Sequence, residues 1–196
     1  MSFTANTAFE ARITNGRFDD LANVTGKYYV STTATDCSAG FLVTKDSLLD
    51  CEGFTGVKNE NSWKMVAAAN TATIDTPVYA CNPYDTPLAA VGTNLYEVGN
   101  DFLGLGIPAG RYGTFTRINF DNVSTYRFGV GNLASSLSTN TYCTIASGQL
   151  SPTASAPTTT GAIYFKVVGT GNFVEGTTDS FGYVDVIACS VSTVAG

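Results

Sequence analysis

Enzymes that move protons at neutral pH lean first on histidine, and this 196-residue chain has none. That absence removes Ser-His-Asp and Cys-His machinery, histidine general-base chemistry and most zinc sites. Five cysteines stand at Cys37, Cys51, Cys81, Cys143 and Cys189. The run Asp36-Cys37-Ser38-Ala39-Gly40 has the outline of a nucleophile on a turn. No imidazole is at hand to hold a thiolate there, so an ordinary free thiol is expected. Cys81, Cys143 and Cys189 sit in apolar, strand-like runs and read as small buried hydrophobes. An odd, widely spaced set with no Cys-x-x-Cys pair is not a disulfide framework. All five thiols are expected to be reduced and structurally passive.

Paired carboxylates hydrolyse glycosides without histidine. The candidates are Asp19, Asp20, Asp46, Asp50, Glu52, Asp101, Asp121 and Asp185, but 16 scattered acidic residues give many accidental pairs and single out none. Asp46, Asp50 and Glu52 offer oxygen ligands for Ca²⁺, yet their spacing matches no EF-hand loop, so solvated turn residues are expected. Gly104-Leu105-Gly106-Ile107-Pro108-Ala109-Gly110 invites comparison with a dinucleotide loop. The spacing is wrong, Pro108 intrudes, and Arg111–Phe115 reads as a strand where the phosphate-binding helix should begin. Gly26-Lys27 lacks the upstream glycine of a P-loop. Tyr28, Tyr29, Trp63, Tyr79, Tyr84, Tyr96 and Tyr112 have rings that stack on sugars, but in a β protein most such rings pack in a core or its rim. The residues therefore point to no catalytic set, no cofactor and no metal.

Composition narrows the partners. Net charge is −6, and the 10 Lys plus Arg are scattered, not gathered into the basic stripe that nucleic-acid binding or anionic membranes require. Charged residues make up 13% of the chain, about half the usual share of a soluble domain, which leaves the surface to Thr, Ser, Asn and Gly. Met1-Ser2-Phe3-Thr4 opens without a basic and then apolar segment, so no signal peptide is expected. No apolar run approaches the roughly 18 residues needed to span a bilayer.

The elements available to position any site are strands. Ile163–Val168 alternates with Ile163, Phe165 and Val167 on one face, and Phe181–Cys189 reads as its neighbour. Tyr126, Phe128 and Val130 share a face. Lys27–Val30, Phe41–Thr44, Val78–Cys81, Tyr112–Ile118 and Tyr142–Ala146 are further candidates. Ser62–Ala69 fits a helix, although Trp63, Met65 and Ala67 also fit a strand, and Leu133–Leu137 is read as a single turn. Turn chemistry at Gly99-Asn100-Asp101, Gly131-Asn132 and Gly169–Asn172 recurs at the spacing of sandwiches and barrels. Ser151–Gly161 is rich in Pro, Ser and Thr and reads as an exposed loop. The expected fold is all-β, an antiparallel sandwich or barrel-like domain with long loops and little helix. Residues 1–24 are read as an N-terminal arm. Residues 25–196 form a single β-rich domain, with a division into two lobes near residue 60 left open.

The order of several segments resembles the head decoration or auxiliary capsid proteins of tailed bacteriophages. These segments are Ser62–Ala67, Pro77–Cys81, Gly106–Arg111, Tyr126–Asn132, the Gly148-Gln149-Leu150 turn and Tyr164–Val168, within roughly residues 60–190. The resemblance is one of pattern and order and carries no catalytic residues. It implies a homo-oligomeric virion subunit, commonly a trimer, that folds in the host cytoplasm. Its partners would be the major capsid protein or other virion subunits, whose shell it stabilises. A tail-tube or fibre component is the nearest rival, and a glycan-binding β module is a rival of another class. Partner contacts are expected at Phe3, Phe9 and Phe18, carried by the arm onto a neighbouring subunit.

Overall fold

The computed structural model describes residues 3–4, 6–12, 23–83, 106–172 and 182–192. Its strands are β1 (Phe9–Arg12), β2 (Asn23–Val30), β3 (Thr33–Ala34), β4 (Cys37–Ser38), β5 (Leu42–Asp50), β6 (Lys58–Ala67) and β7 (Val78–Cys81). They continue with β8 (Gly106–Ile107), β9 (Gly113–Arg117), β10 (Thr125–Gly129), β11 (Tyr142–Ala146), β12 (Gln149–Thr153), β13 (Ile163–Asn172) and β14 (Gly182–Ser190). No α-helix occurs among the described residues; a single 3-10 turn, Val130–Asn132, follows β10. The fold is all-β, as the period-two patterning requires. The ambiguous stretch 62–69 falls mostly in β6, with Trp63, Met65 and Ala67 together on one face of the strand.

Two six-stranded sheets pack together. The first has the order β1-β10-β14-β13-β11-β12 and the second β3-β2-β6-β5-β7-β9, with β9 pairing back onto β2. That last pairing closes β2, β6, β5, β7 and β9 into a five-stranded barrel. Strand direction cannot alternate around an odd ring, so at least one neighbouring pair must run parallel. The pair is β2 and β6, the one parallel ladder among the described strands. At the closing seam Gly26 of β2 sits opposite Gly113 of β9. A Cβ on Gly26 would stand 2.6 Å from the Trp63 carbonyl oxygen and 2.7 Å from Met65 Cγ, and one on Gly113 would collide with the Ile107 side chain. The paired glycines leave room for Met65 and Ile107 to fill so narrow a barrel.

Each compartment has its own core. Phe9, Tyr126, Phe128, Cys143, Ile145, Phe165, Val184 and Val186 of the first sheet meet Leu42, Val78 and Ala80 of the barrel wall. Tyr28, Cys37, Val43, Met65, Tyr79, Cys81, Ile107 and Phe115 fill the barrel interior. The short β4–β8 ladder contributes Cys37 and Ile107 to that interior. The chain leaves the first sheet after β1 and returns to it between β9 and β10, whereas residue 60 lies inside β6.

The N-terminal segment departs from the arm reading. Residues 9–12 are β1, paired with β10, and Asn23 and Val24 begin β2. Thr4 N–H donates to the Ser38 hydroxyl at 2.9 Å, and Ala8 N–H donates to buried Asn132 Oδ1 at 3.1 Å. The Asn132 amide in turn donates to the Ala39 carbonyl at 2.7 Å. A buried amide whose donor and acceptor are both satisfied fixes three chain segments at once. The low-complexity reading also shortens: Gln149–Thr153 is β12, with Pro152 opposite Cys143 at a sheet edge, where a missing N–H is tolerated.

The sheet-changing connection is held by Asp121. Its Oδ1 accepts from the Val123 and Ser124 amides at 2.9 and 2.7 Å, and its Oδ2 accepts from the Ser124 hydroxyl at 2.6 Å. Burial works to raise this carboxyl's pKa, but the Ser124 and Val123 donors outweigh it and hold it below the ordinary value. The contribution is therefore complete above the unfolded pKa near 4 and is lost as pH falls through the depressed folded value. Asp121→Asn should cost about 1 kcal/mol at pH 7, a figure kept small because solvent reaches the carboxylate, and progressively less as pH falls below about 4. Urea titrations of both proteins across this range check it, and a gap independent of pH would contradict it. At the barrel seam, Gly26→Ala should cost about 1–3 kcal/mol by overpacking, read in the same titrations. Parent-like stability would mean the seam has slack.

Candidate functional site

Alternation along β10 and β14 sends Tyr126, Phe128, Val184 and Val186 into the core and Arg127, Tyr183 and Asp185 to the opposite face. Register then makes Arg127 and Asp185 direct cross-strand partners. The guanidinium grips the carboxylate with Nε to Oδ1 at 2.7 Å and Nη2 to Oδ2 at 2.8 Å. Its carbon also lies 3.5 Å from the centre of the Tyr183 ring. These side chains are 12% and 19% exposed, so this outer-face pair is largely sheltered. The Asp185 hydrogen bond, against the opposing effect of burial, raises the Arg127 pKa further, and its charge is permanent.

The room for this cluster comes from glycines. A bulge between Val167 and Gly169 shifts the phase of β13, which places Gly169 opposite Asp185 and Gly171 opposite Tyr183. On the other flank Gly129 is also opposite Tyr183. A Cβ on Gly171 would stand 2.5 Å from the Tyr183 hydroxyl, so the ring lies over bare backbone.

Beside Tyr183 a groove of about 750 Å³ runs between the end of the β13–β14 pair and the turn that follows β10. Val130, Leu133 and Leu137 supply apolar walls; Ser135, Ser136, Thr170 and Asn172 supply hydroxyls and an amide. Among the described residues, no carboxylate, lysine, arginine or cysteine lines it. The described lining thus combines apolar walls with neutral hydrogen-bonding groups, the composition of a binding groove.

A second concavity of about 420 Å³ lies on the barrel wall and includes Lys27, Lys58, Lys64, Tyr29, Tyr112, Asp50 and Glu52. Its charges are spent on one another: Lys58–Asp50 at 2.7 Å, Lys64–Asp46 at 3.1 Å and Lys27–Glu52 at 3.7 Å. The three acids weighed for Ca²⁺ thus each face a lysine. The Asp50 pKa is lowered chiefly by the Gly56 amide and then by Lys58.

Those same contacts stiffen the β5–β6 turn. Gly56 N–H donates to Asp50 Oδ2 at 3.0 Å and Cys51 N–H to the Val57 carbonyl at 2.7 Å. On this braced turn Phe54 is 66% exposed, and Val57 stands exposed beside it.

Comparison with family models, with curated proteins and with solved structures finds no match to this chain.

Of the residues expected to meet a partner, Phe9 is 3% exposed, stacks on Tyr126 and packs at a tilt against Phe128 of its own chain. Its place in β1 fills the core, and this corrects the expectation that it reaches a neighbour. Phe3 is partly buried, with its ring against Gly106, and Phe18 lies outside the described residues. Asp19, Asp20, Asp101, Tyr84 and Tyr96 also lie outside them. Arg127 and Tyr183 escaped the sequence reading, and Asp185 entered it only as one carboxylate among many. Alternation gave their face; the register that joins them is a tertiary fact.

Arg127→Met should leave Asp185 sheltered without its guanidinium and cost about 2–3 kcal/mol in urea denaturation. Arg127→Met combined with Asp185→Leu should recover part of that loss. A single variant as stable as the parent would show that the pair contributes nothing.

Proposed function

We propose that this chain is a non-enzymatic virion subunit, a decoration or auxiliary protein that binds a bacteriophage capsid and stabilises it as a homo-oligomer. One observation carries the reading. Among the described residues, outer-face charges pair with one another at Arg127–Asp185, Lys58–Asp50 and Lys64–Asp46, while Phe54 and Val57 stand exposed on a braced turn. A rigid β scaffold with closed ion pairs and Phe54 at a hairpin tip suits docking, because little side-chain or loop entropy is lost on association. The resemblance in segment order over residues 60–190 supports the same reading.

A glycan-binding module is the second reading, favoured by the hydroxyl-lined groove beside Tyr183. The guanidinium of Arg127 already covers one face of that ring, which weakens it as a sugar platform. The assembly reading is the stronger.

The test is co-sedimentation of the full chain with shells assembled from the major capsid protein of the same genome. The protein should pellet with shells at micromolar concentration and saturate at a stoichiometry set by the lattice. Phe54→Ser should weaken binding about tenfold or more, with a circular dichroism spectrum like the parent's, because an exposed side chain adds little to folding. Folded protein that never pellets would overturn the reading. Unchanged binding by Phe54→Ser would remove the hairpin tip from the interface.

A further inference from the structure

Cys37 and Cys81 are 44 residues apart in sequence and meet inside the barrel. They are 1% and 0% exposed. The Cys81 thiol donates to the Cys37 carbonyl oxygen at 3.4 Å. The backbone on both sides is fixed. Cys81 N–H donates to the Phe41 carbonyl at 2.9 Å, and the Cys81 carbonyl accepts from Gly40 N–H at 2.8 Å. Cys37 is laddered to Ile107 of β8. With Cys81 Sγ against the Cys37 backbone and both side chains inside one narrow barrel, side-chain rotation is the motion that would join the two sulfurs.

We propose that Cys37 and Cys81 form a redox-responsive pair that closes to a disulfide when a small peroxide oxidises one of them. One sulfur, as thiolate, attacks a peroxide oxygen; the O–O bond breaks, and the departing hydroxide takes up a proton to become water. The product is a sulfenic acid. The second sulfur attacks it, the S–O bond breaks, and the oxygen leaves as a second water carrying the second thiol's proton. Two electrons pass from sulfur to oxygen: two thiols and one peroxide become one disulfide and two waters.

Burial sets the pace of this reaction. It pushes the Cys37 thiol well above its ordinary pKa, and the Cys81 hydrogen bond adds to the effect, so thiolate is scarce at neutral pH. Oxidation then follows local opening of the barrel. Cys143 lies in the other core, and Cys51 follows β5 on the hairpin turn, so neither shares this geometry. The new bond would tie the β4–β8 ladder to the end of β7, across the base of the connection that leaves Cys81 and returns at Gly106. The thiols expected to be passive are passive only while reduced. None of this depends on the capsid reading.

The experiment exposes the full chain to hydrogen peroxide at neutral pH, below its melting temperature, with and without mild urea to promote opening. The protein is then alkylated in denaturant and mapped by mass spectrometry. Two of the five thiols should escape alkylation, with Cys37 and Cys81 in one linked peptide pair that dithiothreitol releases. Thermal unfolding of the oxidised protein should move up by roughly 5–15 °C. Cys37→Ala and Cys81→Ala, checked for folding by circular dichroism, should each show no linked pair and no upward shift. Five thiols still reactive after exposure in mild urea would overturn the proposal. So would links through Cys51, or a sulfinic acid on either cysteine without a link.

Discussion

Everything in this molecule hangs on a wall formed by β7 and the start of β5, Leu42 and Val43, buried on both sides. In β5, Leu42 faces the sandwich core and Val43 the barrel interior; in β7, Val78 and Ala80 face one and Tyr79 and Cys81 the other. All four residues of β7 are buried, so this strand shows no polar alternation. A defect here would open two cores together. Each large apolar side chain in the wall contributes on the order of 1.5–3 kcal/mol by burial. The wall also fixes the distance between compartments, because a strand cannot slide by one residue without exchanging its two faces.

From that wall the remaining constraints follow in order. Five strands must curl tightly to close, which the bulges of β5 against β6 and the facing Gly26 and Gly113 permit. Closure fills the interior with Tyr28, Met65, Tyr79 and Phe115, and burial pushes the Tyr28 phenol up to about 12. Among the described residues charged side chains stand on outer faces, and several are paired there. A protein so constructed keeps its binding potential in turns and grooves at the ends of its sheets.

Much of the fold was legible in the residues. Val78–Cys81 and Tyr142–Ala146 match their strands residue for residue, because short apolar or alternating runs bounded by turn residues have few other ways to bury themselves. The failures have physical causes. β1 is four residues long and its charged Glu10 and Arg12 mask the inward pair Phe9 and Ala11, so the segment looked like an arm. β12 carries Pro152, which counts against a strand except at an edge, and edge position is not written locally. Gly26 was weighed for phosphate binding, whereas its role is set by a partner 87 positions away, the distance from 26 to 113. The candidate site was the least legible part, since Arg127, Tyr183 and Asp185 converge through register and through a bulge at Val168.

The treatment of edges bears on how such a chain meets partners. Closing the barrel removes most of the unpaired backbone from the second sheet, leaving the two-residue β3 beside β2. The first sheet keeps two edges, and both are blunted. β1 is short and carries Glu10 and Arg12, while β12 carries Pro152 and is partly covered where Ala134 N–H donates to the Leu150 carbonyl at 2.8 Å. Backbone pairing between copies is therefore disfavoured at every described edge. Under the proposed assembly role, contacts would rest on side chains, and among the described exposed large apolar residues Phe54 is the most exposed and the one aromatic. It sits on the turn that Asp50, Gly56 and Lys58 hold rigid. Guarded edges and a presented aromatic are the arrangement that permits side-chain-specific assembly while opposing indiscriminate strand addition.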